Sequence, residues 1–318
     1  MGPQKKKILA AGLVILFFIA FPWVFQKTFA HHLMILVFLY ALMGTAWNIL
    51  GGYTGQVSLG HSVYFGIGAY TSTCLLMWYG VSPWAGIFPG IFLAILVSLI
   101  VGYPCFRLKG HYFAIATICV GEIVHLLFLN WPAIGGAVGL YLPILPSSFI
   151  NFEFHKSKLP YYYIILGFLL LAIGSTVWIA GNRLGFYLRA IKEDQDAARS
   201  VGIPATRYKL IAMALSAGFT AMAGTFYAQY ILYIDPTSVL LLQLSVQMCL
   251  IAVLGGTGTI LGPLIGAAIL VPLSEFTRFY LGGKGQGIDL MIYGGLIMVI
   301  SAYKPAGLMG LFQRGKQA

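Results

Sequence analysis

Charged side chains are scarce in this sequence: Asp, Glu, Lys and Arg make up 8% of its 318 residues. A soluble globular domain carries about 25% charged residues, so these few charges cannot cover the surface of a soluble protein of this size. Apolar residues make up 59% of the chain. The composition therefore predicts an integral membrane protein whose surface mostly faces lipid.

Signatures of enzyme chemistry are also missing. The six histidines and four cysteines form no HExxH, CxxC or other metal-ligand spacing, so we expect no metal site and no catalytic residue. No GxxxxGK[ST] loop is present, so this chain is expected to bind neither ATP nor another cofactor. The net charge of +11 lies in short gaps between apolar runs, which is typical of membrane topology and argues against nucleic-acid binding.

Ten apolar runs are long enough to cross a membrane, which takes about 20 residues. They are residues 8–25, 33–50, 62–80, 84–104, 111–130, 161–181, 208–233, 238–256, 259–281 and 287–303. The eighth is the weakest because Gln243 and Gln247 interrupt it. The first resembles a signal peptide, but we interpret it as a retained helix because many spans follow. The sequence thus predicts an all-α polytopic membrane protein, with residues 1–318 as one transmembrane domain.

The distribution of basic residues predicts the orientation. With the N-terminus in the cytoplasm and ten alternating spans, most of the 19 basic residues fall on the cytoplasmic side, as the positive-inside rule requires. Both termini are then cytoplasmic. The polar segment 131–160 lies outside, and the polar segment 182–207 lies inside.

Residues 51–61, GGYTGQVSLGH, join the second and third spans. This first Gly junction is too rich in glycine for a stable helix, and irregular backbone at membrane depth must be buried in protein or line a wet cavity. Two interpretations are open: its polar residues line a pathway or gate, or its glycines allow a close helix crossing. The candidate pathway residues are Gly55, Gln56, Ser58 and His61. Residues 254–263, the second Gly junction, have a similar sequence, which indicates either an internal repeat or a chance match.

The cytoplasmic segment 182–207 is the most highly charged part of the chain. Residues 188–201 have the periodicity of one short amphipathic helix, which we expect Gly202 to end and Pro204 to stop from continuing. Two interpretations are open: another protein docks against its small residues, or the helix is solvated or lies on anionic lipid.

Several separated motifs, in the same order, resemble a known family. They are GGYTGQVSLGH at 51–61, RLKGHYFAI at 107–115, GNRLG at 181–185, RAIKEDQDAARSVG at 189–202 and LGGTG at 254–258. Together they resemble the branched-chain amino-acid permeases, the LivM and LivH proteins of ATP-binding-cassette importers, and they follow the LivM branch closely. The resemblance covers roughly residues 35–305.

The resemblance implies that segment 182–207 is a coupling segment whose helix docks in a groove of a separate ATPase. The implied coupling positions are Ala190, Ile191, Glu193, Asp194, Ala197, Ala198 and Gly202. It further implies a LivH-type permease partner, two ATPase subunits that bind ATP and Mg, and a periplasmic substrate-binding protein. Location in a bacterial inner membrane follows, with Leu, Ile and Val as cargo. Urea or short amides stay open as cargo within the wider family.

Ionisable groups inside spans are expensive and are candidates for function. Glu122 lies near the middle of the fifth span, and His125, one turn on, is placed to pair with it. Glu122 is either a residue of the substrate pathway or part of an interhelical hydrogen bond. A secondary transporter driven by an ion gradient would need such membrane carboxylates, and Glu122 alone qualifies. A membrane-embedded enzyme would need an acid–base or metal cluster, which the sequence lacks.

Overall fold

The computed structural model describes residues 16–108, 110–154, 157–281, 294–295 and 307–309. This part of the chain is mostly helical. Its helices are α1 (16–24), α2 (Thr28–Thr54), α3 (His61–Tyr79), α4 (Pro83–Cys105), α5 (His111–Leu129), α6 (Leu159–Gly181), α7 (Arg183–Glu193), α8 (Gln195–Ser200), α9 (Ala205–Ile231), α10 (Pro236–Val239), α11 (Leu242–Gly255) and α12 (Gly262–Leu281). Two short strands, β1 (Leu140–Tyr141) and β2 (Tyr233–Ile234), pair antiparallel.

Six of the described helical segments are long and apolar enough to cross a membrane: α2, α4, α5, α6, α9 and the combined segment α10–α11. This confirms the prediction of an all-α, multi-pass membrane protein. Helix α12 contributes a shorter apolar helix over Gly262–Thr277. Of the predicted span 8–25 the described residues are 16–25, and the predicted span 287–303 lies mostly outside the described residues.

Helix α3, predicted as the third span, is a central helix. All of residues 61–70 are buried, and α3 packs against α4 on one side and α9 on another. A β-carbon at Gly224 of α9 would lie 2.0 Å from the carbonyl oxygen of Phe65, and one at Gly68 of α3 would lie 2.0 Å from that of Ala221. The two helices therefore touch backbone to backbone, which is the kind of interface that small residues allow in membrane bundles.

Helix α2 continues through the glycines where we predicted that it would stop. Gly51 and Gly52 are helical, and residues 51–54 are all buried. Each glycine costs about 1 kcal/mol of helix propensity, but tertiary packing offsets this cost. A β-carbon at Gly52 would lie 2.5 Å from the backbone nitrogen of Gly258, so only glycine lets the two Gly junctions approach this closely.

The irregular part of the first Gly junction is residues 55–60, and it turns back into the bundle. Ser216 of α9 bonds His61 at the start of α3 and also donates to the carbonyl oxygen of Ala46. Helix α3 therefore begins level with Ala46, two turns before the end of α2. Ser58 and Gly60 of this return are buried, which fits the rule that irregular backbone at membrane depth is enclosed by protein.

The predicted eighth span is interrupted, at Leu240 and Leu241 rather than at its glutamines. Asp235 and Ser238 form a capping box at the start of α10. Leu241 is extended, with φ −60° and ψ 143°, and Leu240 is inserted against Gly66 of α3. Burial of the Leu240 side chain, which is 1% exposed, stabilises this break in the helix.

The close contact between α3 and α9 leads to a stability prediction. We expect Gly224→Ala to lower the melting temperature of the detergent-purified protein strongly, because a β-carbon there meets backbone that cannot move aside. Gly174→Ala in α6 is the matched control, since nothing lies within 4 Å of its β-carbon. It should be neutral or slightly stabilising. Equal effects of the two substitutions on thermal unfolding would contradict the packing described.

Candidate functional site

The coupling segment, residues 182–207, contains two helices where the sequence predicted one over residues 188–201. Helix α7 ends at Glu193, Asp194 is extended with φ −153° and ψ 113°, and α8 begins at Gln195. The Asp194 carboxylate accepts hydrogen bonds from the backbone nitrogens of Asp196 and Ala197, at 2.8 and 3.0 Å. Aspartate competes for backbone donors as a helix N-cap, and this cap breaks the predicted helix.

The implied coupling positions separate into an exposed group and a buried group. Exposed are Glu193, Asp194, Ala197 and Gly202, and Ala190 is half-buried. Ile191 and Ala198 are buried, and they form a small core with Ala205 at the start of α9. The exposed set presents a surface around the break between α7 and α8, whereas the buried set holds the two helices to the bundle.

Gly202 ends α8 as predicted. Its φ is +88°, and its backbone nitrogen and that of Ile203 bond the carbonyl oxygens of Arg199 and Ala198, which is a Schellman motif. Lys209 at the start of α9 is 1% exposed and donates to the side-chain oxygen of Gln195. Helix α8 is therefore fixed at both of its ends.

Two cations of α7 bind the C-terminal ends of other helices. The Arg189 guanidinium donates to the carbonyl oxygen of Ala180 in the last turn of α6, at 3.0 Å. The Lys192 ammonium donates to the carbonyl oxygen of Gly52 in the last turn of α2, at 2.9 Å. The last four carbonyls of a helix lack partners within it, and a cation there also interacts favourably with the helix dipole.

Lys192 and Asn48 connect the coupling segment to both Gly junctions. The buried amide of Asn48 accepts from the backbone nitrogen of Gly258 and donates to the carbonyl oxygen of Thr259, both at 2.8 Å. The same Gly258 lies beside Gly52 and the Lys192 ammonium. Motion of α7 would therefore reach the end of α2 and the loop between α11 and α12 together.

A buried hydrogen-bond network holds the start of α3. His61 is fully buried, with one ring nitrogen 3.0 Å from the Ser58 hydroxyl and the other 2.8 Å from the Ser216 hydroxyl. The Trp47 indole donates to the carbonyl oxygen of Ser58 at 2.7 Å. A cavity of about 10 Å³ lies beside Ser58, about the size that holds one water molecule. The first Gly junction is closely packed in this conformation.

The other two candidate residues of this junction lie nearer the coupling segment. Gly55 is exposed and ends α2 with φ +71°, and a β-carbon there would lie 3.2 Å from Cγ of Lys192. Gln56 is half-buried. The structure thus brings Ser58 and His61 together in one network and places Gly55 against α7.

Asn48 and Ser216 are the partners that the sequence interpretation missed. Both lie inside apolar runs, and the rule that singled out Glu122 considers ionisable groups alone. Extending that rule to amides and hydroxyls within spans would have selected Asn48, because a buried amide needs several hydrogen-bond partners.

Glu122 pairs with His125, as predicted, with 3.4 Å between the carboxylate oxygen and Nδ1. The Glu122 side chain is 52% exposed, so it does not point into the bundle of this chain. Helix α5 is held by one narrow strip, made of Phe113, Thr117, Gly121 and His125. Glu122 lies outside this strip, on an exposed part of the helix surface.

Comparison with known proteins identifies the family. The sequence profile described as "Branched-chain amino acid transport system / permease component" matches residues 29–301. The chain is 29% identical to the high-affinity branched-chain amino acid transport system permease protein LivM of Salmonella typhimurium, over 96% of this chain and 75% of that protein. It is 28% identical to LivM of Escherichia coli K12 over the same shares. It is also 26% identical to the permease protein LivH of Salmonella typhimurium, over 85% of this chain and 91% of LivH.

The profile covers most of the chain, and the matched region includes both Gly junctions, α5 and the coupling segment. The similarity to LivM spans more of this chain than the similarity to LivH does. The chain therefore belongs to the family of permease components of branched-chain amino acid transport systems.

Proposed function

We propose that this permease is one membrane-spanning subunit of an ATP-driven importer for Leu, Ile and Val in a bacterial inner membrane. A LivH-type permease, two ATPase subunits that bind ATP and Mg, and a periplasmic binding protein complete the assembly. The observation that carries the proposal is the anchoring of the coupling segment. Its cations bind the ends of α2 and α6, so a force applied to α7 and α8 reaches the bundle directly.

The proposed topology has ten spans in a single domain, with both termini in the cytoplasm. Helix α1 supports it, because Phe18 contacts Phe38 while the backbone of Pro22 lies by His31; α1 therefore runs antiparallel to α2. At the other end of the chain, the backbone nitrogen of Leu308 donates to the carbonyl oxygen of Leu254. Residue 308 thus lies at the same end of the bundle as the coupling segment. Helix α12 starts at that end and runs away from it, so one further span after α12 would bring the chain back.

The proposed ATPase contact is the exposed surface around Asp194. Glu193 and Ala197 flank the break between α7 and α8 and are open to solvent. The carboxylates give this surface charge, and the small side chain of Ala197 permits close approach of a groove. Ile191 and Ala198 act from beneath, by holding the helices in place.

We assign Glu122 to the boundary with the second permease. A carboxylate facing hydrocarbon at mid-span costs about 2.5–3.5 kcal/mol on insertion scales, so lipid is a poor neighbour for it. A partner subunit, or water in a pathway between two permeases, removes this cost. Ser58 and His61, with Gln56 and Gly55 beside them, would then form a closed gate at the cytoplasmic end.

The proposed function is tested by uptake of labelled leucine into vesicles that contain the permease, its partner permease, the ATPases and the binding protein. Uptake should require enclosed ATP and should persist when ionophores remove ion gradients. Uptake that needs no ATP but collapses with the gradient would instead identify a secondary transporter. ATP-driven uptake of urea or acetamide without leucine would overturn the assigned cargo alone.

Lys192 should control how efficiently ATP hydrolysis is converted to transport. We expect Lys192→Met to lower leucine uptake per ATP about tenfold, because hydrogen bonds to charged groups contribute about 1.5–3 kcal/mol. ATPase activity stimulated by the binding protein should persist. Lys192→Arg should restore much of the coupling. Arg199→Met is the control, since Arg199 is exposed and pairs with Asp196 at 3.9 Å; an equal loss in that variant would rule out a special role for Lys192.

The exposed coupling surface has its own test. Glu193→Arg combined with Ala197→Trp reverses one charge and fills the space left by a small side chain, so the ATPases should no longer hydrolyse ATP in step with transport. The double variant should still insert in the membrane, as measured by its abundance and thermal unfolding. Phe186→Trp, a bulky and exposed position at the other end of α7, is the control. Unchanged transport in the double variant would remove the docking assignment.

A further inference from the structure

One face of α3 carries hydroxyl groups that have no hydrogen-bond partner in the part of the chain that the structure describes. Ser62, Tyr70 and Thr73 are each at most 3% exposed, and their side-chain oxygens are unpaired. Among the described residues, the other buried hydroxyl without a partner is that of Thr45 on α2. At 100° per residue, the three residues and Gly66 fall within about 80° of one another around the helix. We call these four residues the hydroxyl stripe.

The hydroxyl stripe faces α5 and α11. The backbone nitrogen of Ser62 donates to the Ser245 hydroxyl in the first turn of α11, at 2.8 Å. The Tyr70 ring packs against Phe128 of α5, with 5.0 Å between the ring centres. Gly68, on a different face of α3, makes the backbone contact with α9. The stripe therefore meets α5 and α11 through side chains, which can separate while the contact between α3 and α9 stays intact.

The side chain of Leu240 covers the middle of the stripe. A β-carbon at Gly66 would lie 2.3 Å from Cδ2 of Leu240, so the leucine fills the space over that glycine, one turn from Ser62 and one turn from Tyr70. Leu240 lies in the break between α10 and α11, inside the candidate span Pro236–Gly255. Broken helices within a transporter typically form the site where the solute binds and passes.

The unpaired hydroxyls make the closed arrangement costly. A buried polar group without a partner destabilises the conformation that contains it, and the aliphatic side chain of Leu240 offers no hydrogen bond. A hydroxyl group can both donate and accept. The stripe is therefore suited to a small solute whose ammonium and carboxylate groups both need hydrogen-bond partners when they leave water.

We propose that the hydroxyl stripe lines the route by which an amino acid crosses this subunit, and that Leu240 closes this route in the conformation described here. The hydroxyls exchange hydrogen bonds with the amino acid once α10 and the start of α11 move away from α3. The stripe begins one residue after His61, so it continues from the candidate gate formed by Ser58 and His61. The inference rests on the proposed import of amino acids and adds the residues that the cargo meets beyond that gate.

The test measures how fast an introduced thiol reacts in the importer complex in lipid nanodiscs. Ser62→Cys places a nearly isosteric thiol on the stripe, in a background where Cys74, Cys105, Cys119 and Cys249 are replaced by alanine. The reagent is 2-(trimethylammonium)ethyl methanethiosulfonate, a cation that lipid excludes. We expect a slow reaction without nucleotide and a reaction at least about tenfold faster during ATP turnover, because an open state that is a minor population at rest then becomes common. No increase during turnover would overturn the route.

Leu240→Ala should make Ser62→Cys react fast without ATP, because loss of a buried leucine side chain weakens the closed packing. It should also raise the leak of leucine from vesicles that contain no ATP. Leu240→Val, a milder truncation, carries the same prediction with a smaller effect if the alanine variant does not fold. Slow reaction in a folded Leu240 variant would overturn the closing role of this side chain.

Two controls separate an opened route from a loosened bundle. Thr176→Cys on α6 replaces a hydroxyl that is equally buried but bonds the carbonyl oxygen of Ala172 at 2.9 Å, so its thiol should stay unreactive in every state. Leu169→Ala removes another leucine side chain that is 1% exposed and should leave Ser62→Cys slow. A rise in reactivity in both controls, equal to that at the stripe, would contradict the proposal.

Failure of the route and failure of the proposed function give different results. If leucine uptake is driven by ATP while Ser62→Cys stays unreactive during turnover, the importer stands and the stripe is not on its route. If uptake needs no ATP and Ser62→Cys reacts only when an ion gradient is present, the route stands and the importer assignment fails.

Discussion

The structure depends on how the carbonyl groups at the C-terminal ends of α2 and α6 find hydrogen-bond donors. A helix that ends near the membrane surface leaves four carbonyl oxygens without partners inside the helix, and here one short segment supplies donors to two such ends. Arg189 bonds the end of α6 and Lys192 bonds the end of α2. Because these bonds involve cations at the negative ends of helix dipoles, they also fix where the coupling segment lies.

Close backbone contact between helices is the second constraint, and it makes the bundle rigid. Helices α3 and α9 touch along Gly68 and Gly224, and the two Gly junctions touch at Gly52 and Gly258. Without a strong hydrophobic driving force between helices in lipid, such packing and buried hydrogen bonds determine the arrangement. Asn48, Ser216 and His61 add bonds that cross between elements. The coupling segment therefore contacts a closely packed bundle.

The sequence predicted the elements well where a local signal was strong. Apolar runs marked α2 to α6, α9, α11 and α12, and Gly202 marked the end of α8. It failed where long-range contacts outweighed local preference: Gly51 and Gly52 stay helical because α2 is buried against the second Gly junction. A single helix over residues 188–201 was wrong because the side chain of Asp194 captures the next two free backbone donors. The role of Lys192 could not be predicted, because its partner, the carbonyl of Gly52, is 140 residues away in the chain.

The early start of α3 has a mechanical consequence. Helix α2 ends at Thr54, two turns beyond Ala46, and six non-helical residues, 55–60, connect it to the start of α3. A helix resists changes in length because each turn is tied to the next, whereas an extended stretch can lengthen or shorten by rotation about a few bonds. Flexibility between α2 and α3 is thus concentrated in residues 55–60, next to closely packed helices. Helix α3 is held against α9 by backbone contact, so a change in the position of α2 relative to α3 would be taken up by rotation within residues 55–60, and neither helix would have to bend.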